Sequence, residues 1–237
     1  MNPFASLVQP IAREEEMDAA ELSPERYAKV LADLSRINAL TLAPRPTLGF
    51  LERVRARGIG ARPWRILDVG FGAGDMLARI ARWGERRGIG LDLAGVDLNP
   101  NSEAVARARL GRRARLISGD YRDLAGQGWD MIMSSLVSHH MTPVQRTEFL
   151  RFMESEAACG WLVNDLHRHR LPFAGYPLLA TLARVDPIVR RDGQLSVGRG
   201  FRRAEWAAML AGALPDVAGE CRIFRSFPWR LCVERIR

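Results

Sequence analysis

The residues most suited to ligand chemistry are three glycines that follow a short apolar run. The stretch 66–75 reads ILDVGFGAGD, and Gly70, Gly72 and Gly74 recur in it at every second position. A glycine turn between a strand and a helix lets a ligand approach the backbone and the helix N-terminus closely. The spacing is neither the G-x-G-x-x-G of dinucleotide-binding folds nor a Walker loop, which needs Lys followed by Ser or Thr. Because Asp75 in the first helical turn would repel a phosphate, the turn favours a ligand without one.

Two further acids follow the next two predicted strands. Asp97 lies in GVDLNP and Asp120 lies in SGDYRD. An acid after the second strand suits the two hydroxyls of a ribose, and an acid after the third can accept from an exocyclic amine. A single Asp after a strand is most often a turn former. Three signals after three consecutive strands instead indicate a ligand site at the carboxyl edge of the sheet.

The four histidines of the chain fall into two pairs. His139 and His140 follow the fourth predicted strand, whereas His167 and His169 follow the fifth. An imidazole suits proton transfer near neutral pH, and a structural role at a helix start is the alternative interpretation. Asp165 either orients a histidine or ends its strand. Since no cysteine and no third ligand at helical spacing lies nearby, we expect no metal ion.

From Trp64 onward, the elements that position these residues alternate between strand and helix. Strands are predicted at 65–70, 91–98, 114–120, 129–135, 160–166, 220–227 and 229–237, and helices at 75–86, 101–110, 172–185, 203–214 and from Thr142. Little more than Pro228 joins the last two strands, so they must form an antiparallel hairpin. The pattern predicts an α/β fold with a mostly parallel sheet that ends in a reversed strand.

The first 63 residues are predicted to form a separate helical extension. Ser23 and Pro24 are an N-cap and a first helical residue. A second helix is predicted from about Thr47 to Arg57, ending at Gly58. Such helices either cover the ligand cleft as a lid or pack on the sheet. We therefore predict a boundary between 1–63, the helical extension or lid, and 64–237, the ligand-binding domain.

Four motifs in this order and spacing, ILDVGFGAG, GVDLNP, SGDYRDL and WDMIMSSLVSHHM, resemble those of the class I S-adenosylmethionine-dependent methyltransferases. The resemblance covers the chain from about Trp64 to the C-terminus. It implies a Rossmann-like α/β fold with a seven-stranded sheet, mostly parallel with a reversed last strand, and helices on both faces. It also implies S-adenosylmethionine as the cofactor and S-adenosylhomocysteine as the product.

The resemblance also assigns roles to individual residues. By that resemblance, the methionine moiety would be surrounded by Asp68, Gly70, Gly72 and Gly74. Asp97 would hold the ribose, Leu98 would pack on the adenine, and Asp120 with Tyr121 would read the adenine edge. The backbone of Ser134 would meet the methionine amino group. Because the two histidine-bearing strand ends would flank the transferred methyl, the catalytic candidates are His139, His140, His167 and Asp165.

Composition and missing motifs favour a small-molecule acceptor. The net charge of +8 is spread over the whole chain, almost entirely as arginine, with Lys29 the only lysine. The Asn/Asp-Pro-Pro-Tyr/Phe motif of nucleic-acid base methyltransferases is absent. The resemblance therefore favours O-methylation of a phenolic, quinone or polyketide-type compound in secondary metabolism. Carbon methylation of an activated ring, RNA methylation and a non-catalytic cofactor-binding scaffold are the alternatives.

The remaining features bear on location and partners. No apolar run approaches the roughly 20 residues of a membrane span, and the N-terminus lacks the pattern of a secretion signal. The three cysteines, Cys159, Cys221 and Cys232, are odd in number and far apart, which indicates reduced thiols. We expect a cytoplasmic monomer or homodimer that acts on a small molecule, without nucleic acid as a partner.

Overall fold

The computed structural model describes residues 7–13, 15–19, 22–58, 60 and 62–237. Its strands are β1 (Trp64–Val69), β2 (Leu91–Asp97), β3 (Arg115–Ser118), β4 (Trp129–Ser135), β5 (Ala157–Leu166), β6 (Arg222–Ser226) and β7 (Arg230–Ile236). Its helices are α1 (Glu16–Ala19), α2 (Pro24–Leu40), α3 (Pro44–Arg55), α4 (Asp75–Arg87), α5 (Asn101–Leu110), α6 (Pro143–Glu156), α7 (Arg170–Leu182), α8 (Pro187–Arg199) and α9 (Arg203–Ala213).

The seven strands form one sheet in the order β3-β2-β1-β4-β5-β7-β6. The first five strands pair in parallel, and β7 runs antiparallel to both β5 and β6. This confirms the predicted fold and the terminal hairpin. The strand order reverses between β1 and β4, and a ligand crevice forms at the carboxyl ends of strands at such a switch point.

Helices cover both faces of the sheet because neighbouring strand residues point to opposite sides. Ile66 belongs to an apolar cluster formed with α3, α4 and α5, whereas Leu67 belongs to a second cluster formed with α6 and α9. Trp64 and Trp83 pack in the first cluster with ring centroids 5.7 Å apart. Burial on both sides explains why the central strands read as nearly continuous apolar runs.

The predicted bounds are met at some elements and missed at others. Helix α5 and strand β4 have the predicted limits, whereas α7 begins two residues earlier and ends three residues earlier than expected. Helix α3 begins at Pro44 and not at Thr47. Prolines are tolerated in a first helical turn, where their missing N–H has no partner to lose.

Helix α8 was not predicted at all. Its sequence, PIVRRDGQLSVGR, contains two glycines and no continuous apolar stripe. The helix is started by Asp186, whose Oδ1 accepts from the backbone N of Ile188 at 3.0 Å. Tertiary burial of Leu195 and Val197 then stabilises it, as it does for most short helices in proteins.

The two N-terminal helices make different contacts. Helix α3 contributes Phe50 and Leu51 to the core beside α4. Helix α2 lies over the glycine turn, where Tyr27 and Leu31 pack against Ala73. The boundary at residue 63 stays a prediction. In the part of the chain that the structure describes, no helix is both long and apolar enough to cross a membrane.

Candidate functional site

A cavity of about 960 Å³ opens at the carboxyl ends of the central strands. The glycine turn after β1 and the ends of β2 and β3 form one side of it, called here the acidic side. Residues from α2, α7, α8 and the β6–β7 turn form the opposite side. The predicted candidates that line it are Asp68, Gly70, Gly72, Asp97, Leu98, Asp120, Tyr121, His139 and His140.

The glycine turn is shaped by close packing. Gly70 has a φ of 78°, and a Cβ there would lie 2.2 Å from Cγ2 of Val137 in the loop after β4. Glycine is thus required by conformation and by space. Gly74 has a φ of 68°, and its Cβ would meet Ala106 and Leu110 of α5 at 2.9 and 2.8 Å. Since Gly74 does not line the cavity, the structure gives it a packing role, and its predicted cofactor contact stays untested.

Asp97 connects the glycine turn to the end of β2. Its Oδ2 accepts from the backbone N of Gly72 at 2.8 Å, and its Oδ1 accepts from the backbone N of Asn99 at 2.9 Å. Each carboxylate oxygen has a second lone pair in addition to the one that these bonds use. The side chain can therefore hold the turn and also accept from ligand hydroxyls.

Carboxylates dominate the acidic side. Burial raises the pKa of Asp68 well above its usual value, and repulsion from Asp75 and Asp97 adds to the effect. Burial also raises the pKa of Asp75, although Arg109 and Arg79 oppose the shift. A ligand that brings positive charge would relieve this repulsion, whereas a phosphate would increase it. The prediction of a phosphate-free ligand agrees with this charge distribution.

The end of β3 forms a short 3₁₀ turn, Tyr121–Leu124. Asp120 caps it by accepting from the backbone N of Arg122 at 2.9 Å, and the bonds from Arg122 lower the pKa of Asp120. The ring of Tyr121 packs edge-on against Phe149, with centroids 4.9 Å apart. Leu98 lines the cavity with its side chain 77% exposed, as an apolar platform for a flat ring would be.

The loop after β4 adjoins the cavity, and the predicted contact of the Ser134 backbone with the cofactor stays untested. Ser134 lies inside the sheet, paired with Val69 and Val163, and the cavity lining begins at Ser135. Leu136 follows with a φ of 63°, a left-handed conformation that is rare for a leucine. A hydrogen bond from its backbone N to the carbonyl O of Asn164, 2.9 Å long, holds this conformation.

His139 is buried between two carboxylates. Its Nδ1 lies 2.7 Å from Oδ1 of Asp165, and its Nε2 lies 3.6 Å from Oε1 of Glu15. Burial alone would lower the pKa of His139, but Asp165 and Glu15 outweigh it and raise that pKa to about 9. Asp165 is fully buried, contacts His139 and lies outside the cavity lining, and its predicted catalytic role stays untested.

Glu15 was missed by sequence reasoning, because it lies 124 residues before His139 in the chain. The ligand atoms of Glu15, His139 and His140 lie within 4.8 Å of one another, as a metal site would require. However, Nη1 of Arg199 lies 3.8 Å from Oε1 of Glu15, and Ser196 Oγ donates to the same oxygen at 2.8 Å. A divalent cation would be repelled by this guanidinium. The expected absence of a metal stays a prediction, with a test given below.

The second histidine pair lies apart from the cavity lining. The ring of His169 stacks on Trp229 at 4.9 Å and 18°, and its Nδ1 accepts from the backbone N of Leu171 at 3.2 Å. Burial, followed by repulsion from Arg225, lowers the pKa of His167 to about 4. The structure therefore does not bring His167 together with the other catalytic candidates, and its predicted role stays untested.

The side opposite the carboxylates is largely apolar. Its lining includes Leu34, Leu42, Leu166, Leu179, Val197 and Trp229. Such a wall suits an acceptor with a sizeable apolar body, since ligand pockets combine apolar walls with a few placed polar groups. The polar groups on this side include His139, His140 and Arg230.

Comparisons with known proteins agree with the fold. Residues 66–155 match a family model described as a methyltransferase domain. A probable fatty acid methyltransferase of Mycobacterium tuberculosis is 32% identical over 99 residues, which is 42% of this chain and 23% of that protein. The chain thus matches about a quarter of the length of this curated relative.

Two solved structures are similar in fold. The plantazolicin methyltransferase BamL, in complex with a triazolic desmethylPZN analog and SAH, superposes with a TM-score of 0.66 at 15% identity, covering 90% of this chain and 79% of that one. Magnesium protoporphyrin IX methyltransferase from Synechocystis PCC 6803, with bound SAH, gives a TM-score of 0.54 at 15% identity, covering 83% and 82%. Identities this low show the fold alone.

The matched domain, the strand order and these neighbours confirm the resemblance derived from the motifs. By its match to a methyltransferase domain over residues 66–155 and by its fold, the chain is similar to the class I S-adenosylmethionine-dependent methyltransferases.

Proposed function

We propose that this protein transfers the methyl group of S-adenosylmethionine to a small-molecule acceptor, and that the acceptor atom is a hydroxyl oxygen of a phenolic, quinone or polyketide-type compound. One observation carries the proposal. A single cavity has buried carboxylates and a glycine turn on one side, and a histidine held between two carboxylates beside an apolar wall on the other.

The acidic side fits the proposed cofactor. When bound, S-adenosylmethionine supplies a methyl group on a positively charged sulfur. The sulfonium and the ammonium of such a ligand would lower the raised pKa values of Asp68 and Asp75 and favour the charged carboxylates that complement them. Asp97 would accept from the ribose hydroxyls while it holds the turn through Gly72. Leu98 and Tyr121 would contact the adenine.

His139 would accept the proton that the acceptor hydroxyl loses. Its Nδ1 is held by Asp165, so Nε2, which is buried and faces Glu15, is the nitrogen left to exchange a proton. A pKa of about 9 is close to that of a phenol, and such a match favours proton transfer between the two groups. His140, whose ring lies 4.2 Å from that of His139 at an interplanar angle of 41°, is the second candidate. His167 is the weaker candidate, because it lies outside the cavity lining.

The apolar wall supports a small molecule in preference to RNA. Stacking and phosphate contacts dominate RNA recognition, whereas this cavity offers aliphatic side chains around a few polar groups. Carbon methylation of an activated ring needs the same removal of a proton and would use the same histidine. Secondary metabolism, cytoplasmic location and a monomeric or homodimeric state remain predictions.

Product analysis tests the proposal. The purified protein is incubated with S-adenosylmethionine carrying a deuterated methyl group and with a panel of naphthols, hydroxyquinones and hydroxycoumarins. Mass spectrometry should detect a labelled methyl ether. A product labelled on a ring carbon would mean that the enzyme methylates carbon and not oxygen. Labelled RNA without any small-molecule product would contradict the proposed acceptor class.

A further inference from the structure

Arg230 is a buried guanidinium that forms no ion pair with any residue that the structure describes. It begins β7, lines the cavity and is only 4% exposed. Its Nη2 donates to Thr41 Oγ1 at 3.2 Å, and its Nη1 is buried without a hydrogen-bond partner among the described residues. Within the same described part of the chain, no carboxylate oxygen lies within the 4.0 Å that defines an ion pair with Arg230.

Other buried arginines of this protein are paired. Arg168 forms an ion pair with Glu205, and Arg235 forms two, with Glu154 and Glu220 at 2.7 Å each. Arg168 and Arg235 are therefore compensated by the fold itself. Arg230 differs from both in its position, because it lines the cavity and they do not.

Leaving a guanidinium buried and uncompensated is costly, because the charge loses its hydration and gains no partner. Burial accordingly lowers the pKa of Arg230, although Asp165 opposes the shift from a greater distance. A protein can tolerate this cost where a bound ligand supplies the missing negative charge.

The position of Arg230 relates it to the proposed proton acceptor. In the β5–β7 register, Arg230 lies opposite Leu166, the residue after Asp165, and Asp165 holds His139. Both Arg230 and His139 line the cavity, with Leu166, Leu179 and Val197 among the apolar residues of the same lining. The side of the cavity opposite the acidic side, called here the acceptor side, thus combines an apolar wall with a cation that forms no ion pair among the described residues.

We propose that Arg230 binds the acceptor as an anion, and that the substrate class is an apolar compound bearing an acidic enol or phenol. The inference rests on the proposed methyl transfer and names the substrate class of the same cavity. Oxygen anions are strongly bound by guanidinium groups through charge-assisted hydrogen bonds. His139 takes the proton of an acceptor that arrives neutral, and Arg230 holds the negative charge that remains.

The charges balance in the transfer itself. A lone pair on the acceptor anion forms a bond to the methyl carbon, the carbon–sulfur bond breaks, and its electron pair stays on sulfur. An anion and a sulfonium cation thereby become two neutral products. Because the methylated product carries no charge, it binds Arg230 less tightly than the substrate does, which favours its release.

Direct binding of two matched probes tests the proposal without any methyl transfer. The probes are 4-hydroxycoumarin, an acidic enol that is ionised at neutral pH, and coumarin, which has the same rings and no acid. Calorimetric titration should show tighter binding of 4-hydroxycoumarin. Arg230→Gln should weaken that binding roughly 10- to 100-fold and leave coumarin unchanged, as expected for loss of a hydrogen bond between charged groups.

Three controls make the result specific. Arg225→Gln removes an exposed arginine from the same hairpin and should change neither affinity. Arg230→Lys keeps the charge and should retain part of the preference, and thermal melting shows whether each variant folds. Equal or undetectable binding of both probes by the unaltered protein, or a preference that survives Arg230→Gln, overturns the proposal.

A parallel titration with S-adenosylmethionine separates this inference from the proposed function. Arg230→Gln should bind the cofactor as the unaltered protein does. If the protein binds no cofactor but still prefers 4-hydroxycoumarin through Arg230, the methyl-transfer proposal fails and the anion site stands.

Discussion

The two sides of the cavity are built in different ways. The acidic side consists of short stretches that directly follow strands, such as the turn from Gly70 to Gly74 and the acid Asp97. The acceptor side gathers single residues from distant segments, including Glu15, His139 and Arg230. The acidic side repels anions, whereas the acceptor side holds Arg230, whose Nη1 has no hydrogen-bond partner among the described residues. A positively charged cofactor and a negatively charged acceptor would each find the complementary side.

The largest expected effect concerns the acidic side. Asp97→Ala removes two hydrogen bonds that hold Gly72 and Asn99, together with the proposed ribose contact. Affinity for S-adenosylmethionine should fall roughly 100-fold or more, as measured by calorimetry. Asp123→Asn, at an exposed carboxylate outside the cavity, is the matched control. Unchanged affinity in Asp97→Ala would remove the assignment of this side to the cofactor.

The next effect belongs to the acceptor side. His139→Ala should lower the turnover of a naphthol by roughly 100-fold, with cofactor affinity preserved, because it removes the proposed proton acceptor. His140→Ala, measured in parallel, shows which of the two neighbouring histidines accepts the proton. If neither variant loses that much activity, the acceptor side works by positioning alone.

The pH dependence sharpens this test. A base must be unprotonated to act, and His139 has a pKa of about 9. Turnover should therefore be low near neutral pH, rise as the pH increases and level off above about 9. His139→Gln should remove that rise. A rate that falls through the same pH range would mean that the imidazolium donates a hydrogen bond and does not accept a proton.

A smaller effect concerns the packing of Gly70 against Val137 in the loop after β4. Gly70 and Gly58 have nearly the same φ, 78° and 79°, but only Gly70 has a neighbour, Val137, where a Cβ would lie. Gly70→Ala should lower the free energy of unfolding by roughly 1–3 kcal/mol more than Gly58→Ala, because only it overpacks. Denaturant titration measures both, and adding Val137→Ala should recover the difference. Equal losses would mean that the loop moves away freely.

The smallest effect expected is that of a chelator. Glu15, His139 and His140 are close enough to hold a metal, but Arg199 already lies beside Glu15. Dialysis against EDTA should leave turnover unchanged within about twofold, since ionic partners and not a cation balance the carboxylate. If activity is lost and zinc or manganese restores it, the prediction is wrong and the three residues form a metal site.

The acidic side could be predicted from sequence because its chemistry is local. A glycine turn after a strand, or an acid at a strand end, is defined by neighbours in the chain. The same reason explains why α5 and β4 were placed correctly. Helix α8 was not predicted because its stability comes from tertiary burial and from the Asp186 cap. Its sequence has no apolar residues at regular helical spacing.

The acceptor side could be predicted only in part. His139 follows β4, and Asp165 lies near the carboxyl end of the neighbouring strand β5, so the sequence pattern predicted that they lie close together. Glu15 comes from a segment whose position no local pattern specifies. Arg230 lies in a strand whose residues are nearly all buried. That no described residue forms an ion pair with it is evident only from the folded structure.

The measurement that tests the central claim most directly is a calorimetric titration with S-adenosylmethionine, then with S-adenosylhomocysteine, using NAD as the control. We predict clear binding of the first two ligands and none of NAD, because the acidic side favours a sulfonium nucleoside and repels a pyrophosphate. Binding of NAD, or of neither sulfur nucleoside, would contradict the assignment of this side of the cavity to the methyl donor.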